Sequence, residues 1–312
     1  MSTLFEGSIA TPPTPFHPDE SVAPELIDGH IRWLAEHGVR GVFVLGTWGA
    51  FPLLSFQERK EVAEAFALAS RDYGIGCIVN VGSTCMHEAE ELARQAKDTG
   101  ATAMAAVIPY YHSSAGYYGL DHCRGYFERI RQAADLPLFL YNNPRTTGVL
   151  LNPEEFVTLV EDGLWGVKDG SKDVGWIMSA QARLVDLGLT AEIIPGNTTA
   201  MLYAHGYGLK AVTSGASVTF PRLSAGVFNA LERGDWAYAE RQHAVLMRTR
   251  RAILRYGNPA MATYGLLQAM GVPDLGVPRI PWKGLEAEQA KALLSELAAI
   301  EGLDAWAPVA DK

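Results

Sequence analysis

Two consecutive units decide the fold: PLFLYN at 137–142 followed by NPEEFVTLVEDG at 152–163, then WGVKD at 165–169 followed by SKDVGWIMSAQARLVDLG at 171–188. Each begins with a short apolar, β-rich run bounded by turn residues and continues into a segment with apolar residues at helical spacing. A strand joined to the next strand through a helix reads as a right-handed crossover, and hence as parallel sheet.

Working outward, the same unit recurs. Strand candidates lie at 7–12, 41–46, 77–82, 103–109, 137–142, 165–169, 192–196 and 211–215. Helical patterns follow at 24–38, 55–74, 87–100, 121–135, 152–163, 171–188, 197–208 and 220–234. Eight strand–helix units predict a (β/α)8 barrel, which takes about 250 residues. An open doubly wound sheet has fewer units and a Gly-rich turn after its first strand, whereas here that strand runs into TPPTPF, which cannot cradle a pyrophosphate. The reading is therefore an α/β chain with a barrel at 1–233 and a helical domain at 234–312. The latter has helical patterns at 236–257, 258–271 and 286–302, with GVPDLGVPRIPWKG (271–284) as an internal connection.

Composition narrows the function. The 312 residues are 48% hydrophobic with a net charge of −9, which fits a globular core and disfavours a nucleic-acid or anionic-membrane partner. Cys77, Cys85 and Cys123 form no CxxC pair, and no apolar run approaches the roughly 18 residues of a membrane span. The N-terminus lacks a basic region followed by an apolar core, so the expected location is cytoplasmic. The eight histidines make neither HxH nor HExxH, and acidic residues do not gather at strand ends, so no metal is expected. Neither a GxSxG elbow nor a phosphate-binding Walker loop occurs. No cofactor is called for, and the default partner is a small molecule.

Barrel chemistry collects at the C-terminal ends of the strands. Here those ends carry Thr47 and Trp48, Tyr110 and Tyr111, Tyr141 to Asn143, Lys168 and Asp169, Asn197 to Thr199, and Ser214. Lys168 follows an apolar run. Burial disfavours the charged form of an amine, and a neutral amine attacks a carbonyl to give a Schiff base. The plain alternative is an ion pair with Asp169. Tyr141 offers a phenol for proton transfer, or else simply packs. The segments PGNTTA (195–200) and TSGAS (213–217), with Asn197, Thr213, Ser214 and Gly215, are candidates to hold a phosphate or carboxylate through backbone N–H groups.

Taken in order, TPF (14–16), GTWG (46–49) with LSFQER (54–59), PYY (109–111), YNNP (141–144) and GVKDGSKD (166–173) make the chain resemble the family of dihydrodipicolinate synthase and N-acetylneuraminate lyase over nearly its whole length. The resemblance implies an imine between Lys168 and the 2-oxo group of pyruvate or a related acid, proton relay by Tyr141, and carboxylate binding by Thr47. It also implies that Tyr111 reaches into a neighbouring subunit's site, and hence a dimer or tetramer. The departures fall on positions that face substrate. Trp48 replaces a small hydroxyl residue, and Ala50 an acid. Arg145 sits one position before the family's arginine, with Thr146 in its place. Asn197 and Thr198 replace the sialic acid lyase's acidic pair, and Val218 a usual asparagine. These favour an aldolase or dehydratase of a 2-oxo acid. The synthase itself and a non-catalytic binding protein are the other readings. Trp48 either faces that substrate or packs against Phe51 or a subunit interface.

Overall fold

The computed structural model describes residues 3–112 and 118–303. Eight strands, β1 (Gly7–Ala10), β2 (Gly41–Val44), β3 (Gly76–Asn80), β4 (Ala103–Val107), β5 (Leu138–Asn142), β6 (Gly166–Asp169), β7 (Glu192–Pro195) and β8 (Ala211–Ser214), form one sheet in the order β7-β6-β5-β4-β3-β2-β1-β8. Every pairing between these strands is parallel. Strands β7 and β8 lie side by side and close the ring, bridged by the Thr213 hydroxyl, which donates to the Pro195 carbonyl at 3.4 Å. The predicted (β/α)8 barrel is what the chain forms.

Around the barrel and beyond it run α1 (Glu25–Glu36), α2 (Phe56–Asp72), α3 (Met86–Asp98), α4 (Leu120–Ala133), α5 (Pro144–Thr147), α6 (Pro153–Glu161), α7 (Val174–Asp186), α8 (Met201–Gly206), α9 (Ala216–Thr219), α10 (Pro221–Glu232), α11 (Trp236–Arg255), α12 (Pro259–Met270) and α13 (Ala287–Ala298). Their starts follow from local chemistry. Ser55 and Asn152 each accept from the N3 backbone while Glu58 and Glu155 reach back, giving capping boxes on α2 and α6. The pattern at 197–208 yields a shorter helix than its periodicity suggests. Asn197 accepts from the Thr199 N–H and winds residues 198–200 into a 3-10 turn before α8 begins. The one-turn helices α5 and α9 have no periodic signature, being too short for one.

Strands buried on both faces read as continuous apolar runs, as the burial of Val42 to Val44, Ala103 to Val107 and Leu138 to Tyr141 illustrates. The core continues without a break into α10–α13 through Leu231, Leu246, Leu267 and Leu293. Residues 271–284 do more than connect helices. The Arg279 guanidinium donates to Glu58 at the start of α2 (3.0 Å) and to the Leu53 carbonyl (3.0 Å), so this segment folds back over the barrel mouth.

Candidate active site

The parallel register of β5 and β6 sets Tyr141 opposite Lys168 as Cα partners. Successive side chains on a strand alternate faces, so one register brings both into the barrel interior and sends Asp169 outward. The Lys168 Nζ lies 4.5 Å from the Tyr141 ring centroid and 5.2 Å from that of Phe43, and the residue is only 6% exposed. Asp169 is not its counter-ion in an ordinary pair. Its two oxygens accept from Asn142 Nδ2 at 2.7 Å and the Ser171 hydroxyl at 2.8 Å, and burial raises its carboxyl above the usual range. Phe43, a purely apolar strand residue, carried no sequence signal for its place under the lysine.

The Tyr141 hydroxyl is fixed at the mouth. It shares a hydrogen bond with Thr47 Oγ1 at 2.9 Å and lies 3.4 Å from the Thr47 N–H. Asn143 Nδ2 donates to Thr47 Oγ1 at 3.0 Å and to Tyr141 Oη at 3.3 Å. Thr47, Tyr141 and Asn143 thus form a closed polar triangle at the hydroxyl end of the ring that the amine faces. Asn143 was visible in the sequence as a strand-end residue, but nothing there tied it to the other two.

The turn that presents Thr47 is strained and braced. Leu45 and Ala50, on either side of GTWG, have φ of 55° and 50°, in the left-handed region that non-glycine residues seldom adopt. Asn80 Nδ2 donates to the Leu45 carbonyl (2.8 Å), and the Thr14 hydroxyl to the Gly49 carbonyl (2.5 Å). Thr14 is in turn held by Tyr264 of α12, whose buried hydroxyl donates to its carbonyl at 2.7 Å. The surrounding hydrogen bonds hold the turn in this strained form.

Phe51 makes its ring contact with Tyr110, centroids 6.2 Å apart, and Trp48 turns elsewhere. Its indole crosses the mouth to lie on Gly215 after β8, so closely that a Cβ there would stand 2.0 Å from Cη2. Gly196, after β7, is also constrained, since its Cβ would meet the Asp169 carbonyl oxygen and the Lys168 Nζ, each at 2.7 Å. Two cavities result. One, of about 250 Å³, lies over Tyr141 and Thr47 and is walled by Phe51, Tyr110, Thr146 and Trp282. The other, of about 390 Å³, has Trp48, Gly196, Asn197 and Gly215 on the barrel side, with Arg145, Lys172 and Arg250 among its other walls. Trp282 and Arg250 come from beyond the barrel, and no periodicity or motif singled them out.

The remaining candidates divide. Asn197, Arg145, Gly215 and Thr146 line one cavity or the other. Thr213 and Ser214 do not: both are buried, and their hydroxyls serve the β7–β8 seam, with Ser214 Oγ 2.7 Å from Thr198 Oγ1. Tyr111 is 80% exposed and lines neither of these two cavities. No group of three His, Cys, Asp or Glu side chains able to hold a metal occurs among the described residues. No helix among them is long and apolar enough to cross a membrane.

A parallel eight-stranded barrel with a buried lysine on β6, a tyrosine beside it on β5 and a hydroxyl-bearing turn after β2 defines a class of small-molecule enzyme barrels. The chain belongs to the dihydrodipicolinate synthetase family, whose model matches residues 4–300. Members of that family are lyases. It is 32% identical over 297 residues to an uncharacterized DapA-like lyase of Halobacterium salinarum, covering 94% of this chain and 93% of that one. Among solved structures it is similar to KD(P)GA from T. tenax (28% identity, TM-score 0.82, 94% and 98% of the two chains). It is also similar to YagE of E. coli K12, solved in complex with pyruvate (25% identity, TM-score 0.86, 95% and 99%).

Proposed function

We propose that this chain is a Schiff-base lyase of a 2-oxo acid, cleaving it to pyruvate or dehydrating it. The observation that carries this reading is the buried Lys168 amine against the ring of Tyr141, whose hydroxyl belongs to the Thr47–Tyr141–Asn143 triangle. The amine adds to the 2-oxo carbon, and the carbinolamine loses water to give an iminium. Tyr141 passes protons between nitrogen, oxygen and solvent. In the aldolase, the C4 hydroxyl loses its proton and becomes the carbonyl of a departing aldehyde as the C3–C4 bond breaks, and the electron pair of that bond enters the iminium to give an enamine. That enamine is then protonated at C3 and hydrolysed to pyruvate. In the dehydratase, a C3 proton is removed instead, and a hydroxyl leaves from the neighbouring carbon as water. The N–H groups and hydroxyl of the Thr47 turn suit the carboxylate of the bound acid. The similarity to KD(P)GA and to a pyruvate-bound relative supports the same chemistry.

Borohydride reduction in the presence of pyruvate, followed by peptide mass analysis, is expected to place the adduct on Lys168. Lys168→Ala is expected to lower turnover by at least about 10³-fold, as removal of a covalent nucleophile does. An unmodified Lys168 in folded protein would sink the reading. Product analysis on 2-oxo-3-deoxy acids, scored for pyruvate release against water loss, separates the aldolase from the dehydratase.

A further inference from the structure

The outward faces of β5 and β6 change character at the barrel mouth. Leu140 and Val167, fully buried Cα partners, are followed two residues on, and so on the same faces, by Asn142 and Asp169, also partners and at most 1% exposed. A carboxylate at this depth is a cost to the fold, because burial disfavours its charge and pushes its carboxyl above the usual range. The imine chemistry at Lys168 makes no direct use of it.

Its partners tie the end of β6 in place. Asn142 Nδ2 donates to Asp169 Oδ1 at 2.7 Å, while the Asn142 side-chain oxygen has no partner among the described residues, so it is Asp169 that holds this amide. Ser171 gives its hydroxyl to Oδ2 at 2.8 Å and its N–H to Oδ1 at 3.3 Å. On the backbone, the Gly170 N–H donates to the Asn142 carbonyl and the Gly196 N–H to the Asp169 carbonyl, each at 2.6 Å. Residue 169 is thus joined to β5 on one side and to the loop after β7 on the other. Both ties bear on the amine. Lys168 carries its Nζ on a flexible four-carbon stem, so the place of that nitrogen follows the backbone at 168 and 169 and the wall against which the stem rests. Gly196 is part of that wall, since a Cβ there would meet Nζ at 2.7 Å. A rotation at residue 169 therefore moves both the strand that bears the nucleophile and the glycine beside it, and a displacement of about 1 Å can cost about 10²-fold in rate.

We infer that Asp169 and Asn142 are positioning residues for the reaction, a hydrogen-bonded pair behind the strands that fixes the Lys168 amine against the Tyr141 ring. Both act through Lys168 and neither faces the substrate. This rests on the imine reading of Lys168.

The test is the time course of imine formation with pyruvate, stopped by borohydride at increasing times and read as the mass of the Lys168 peptide. Asp169→Ala and Asn142→Ala should each lower the rate at saturating pyruvate by about tenfold or more, with half-saturation moved by no more than about twofold. The double variant should fall no more than about threefold below the slower single one, because the two side chains act as one pair. Asp169→Asn, which keeps an acceptor for Asn142, should recover most of the loss. Ser171→Ala, at a half-buried loop position, keeps the test open where the buried variants fail to fold: a loss of about fivefold is expected, since one of the bonds that orient Asp169 is gone. Folded variants that unfold at lower urea yet form the imine at the parent rate would show that the network serves stability alone and overturn the inference. So would a rise in half-saturation at unchanged rate, or an Asp169→Asn as slow as Asp169→Ala, which would make charge and not geometry the agent. Each of these leaves the imine reading standing, whereas a parent chain that pyruvate and borohydride leave unmodified overturns both.

Discussion

At the scale of single residues, the contact between Trp48 and Gly215 sets the shape of the mouth. The indole can lie across the barrel only because residue 215 has no side chain, so Gly215→Ala forces it to move. On the best substrate found, Gly215→Ala should lower kcat/KM by at least about tenfold. Adding Trp48→Thr should then bring the chain to the level of Trp48→Thr alone, because residues in direct contact couple and their effects do not add. Strictly additive losses would show that the glycine acts through something other than the indole. Lys168 and Tyr141 are simpler at this scale. A lysine at the end of a barrel strand could be read as a nucleophile from the sequence, since its apolar flank and its strand number are both local facts. The direction in which Asp169 points could not, because alternation gives opposite faces to neighbours without saying which face is the interior.

At the scale of elements, the folding back of residues 271–284 joins the start of α2 to the barrel mouth through Arg279. The Glu58 carboxylate receives that guanidinium while also closing the capping box of Ser55, and hydrogen bonding to Arg279 lowers its pKa to about 2 from 4.5. The sign of the pH effect follows from which state takes up the proton first. The unfolded carboxyl protonates near 4.5 and the folded one near 2, so the stabilisation is complete above pH 4.5 and is lost as pH falls toward 2. Glu58→Gln should therefore unfold at lower urea than the parent at neutral pH, and the two midpoints should converge below pH 4.5. A gap that persists undiminished at pH 2.5 would assign the effect to packing and not to charge. The capping box itself was legible as SFQE, a serine followed three residues later by a glutamate. Its third partner lies 221 positions away in the chain and left no trace near it.

At the scale of the whole molecule, Tyr111 stands 80% exposed and lines neither of the two cavities at the barrel mouth. We propose that it completes the site of a second copy, which makes the assembly part of the catalyst. The measurement is complementation. Lys168→Ala and Tyr111→Ala, each inactive or nearly so alone, are unfolded, mixed and refolded together. If Tyr111 serves the neighbouring site, each mixed dimer regains one complete site, and random pairing restores about a quarter of the parent's activity. Activity no greater than the sum of the separate variants would remove Tyr111 from the partner's site.

The sequence by itself determined the eight strand–helix units, the parallel barrel, and the placement of Lys168, Tyr141 and Thr47 at strand ends. All of these follow from periodicity, turn chemistry and the order of short motifs, which are properties of a chain read a few residues at a time. Only the tertiary structure decided that Trp48 faces across to Gly215, that Thr213 and Ser214 serve the seam of the barrel, and that Trp282, Lys172 and Arg250 wall the cavities. Each of those depends on a contact between segments far apart in sequence, or on a backbone angle such as that of Lys172. Closing the ring and folding the last helices over its mouth bring such segments together, and no local pattern encodes the distance between them.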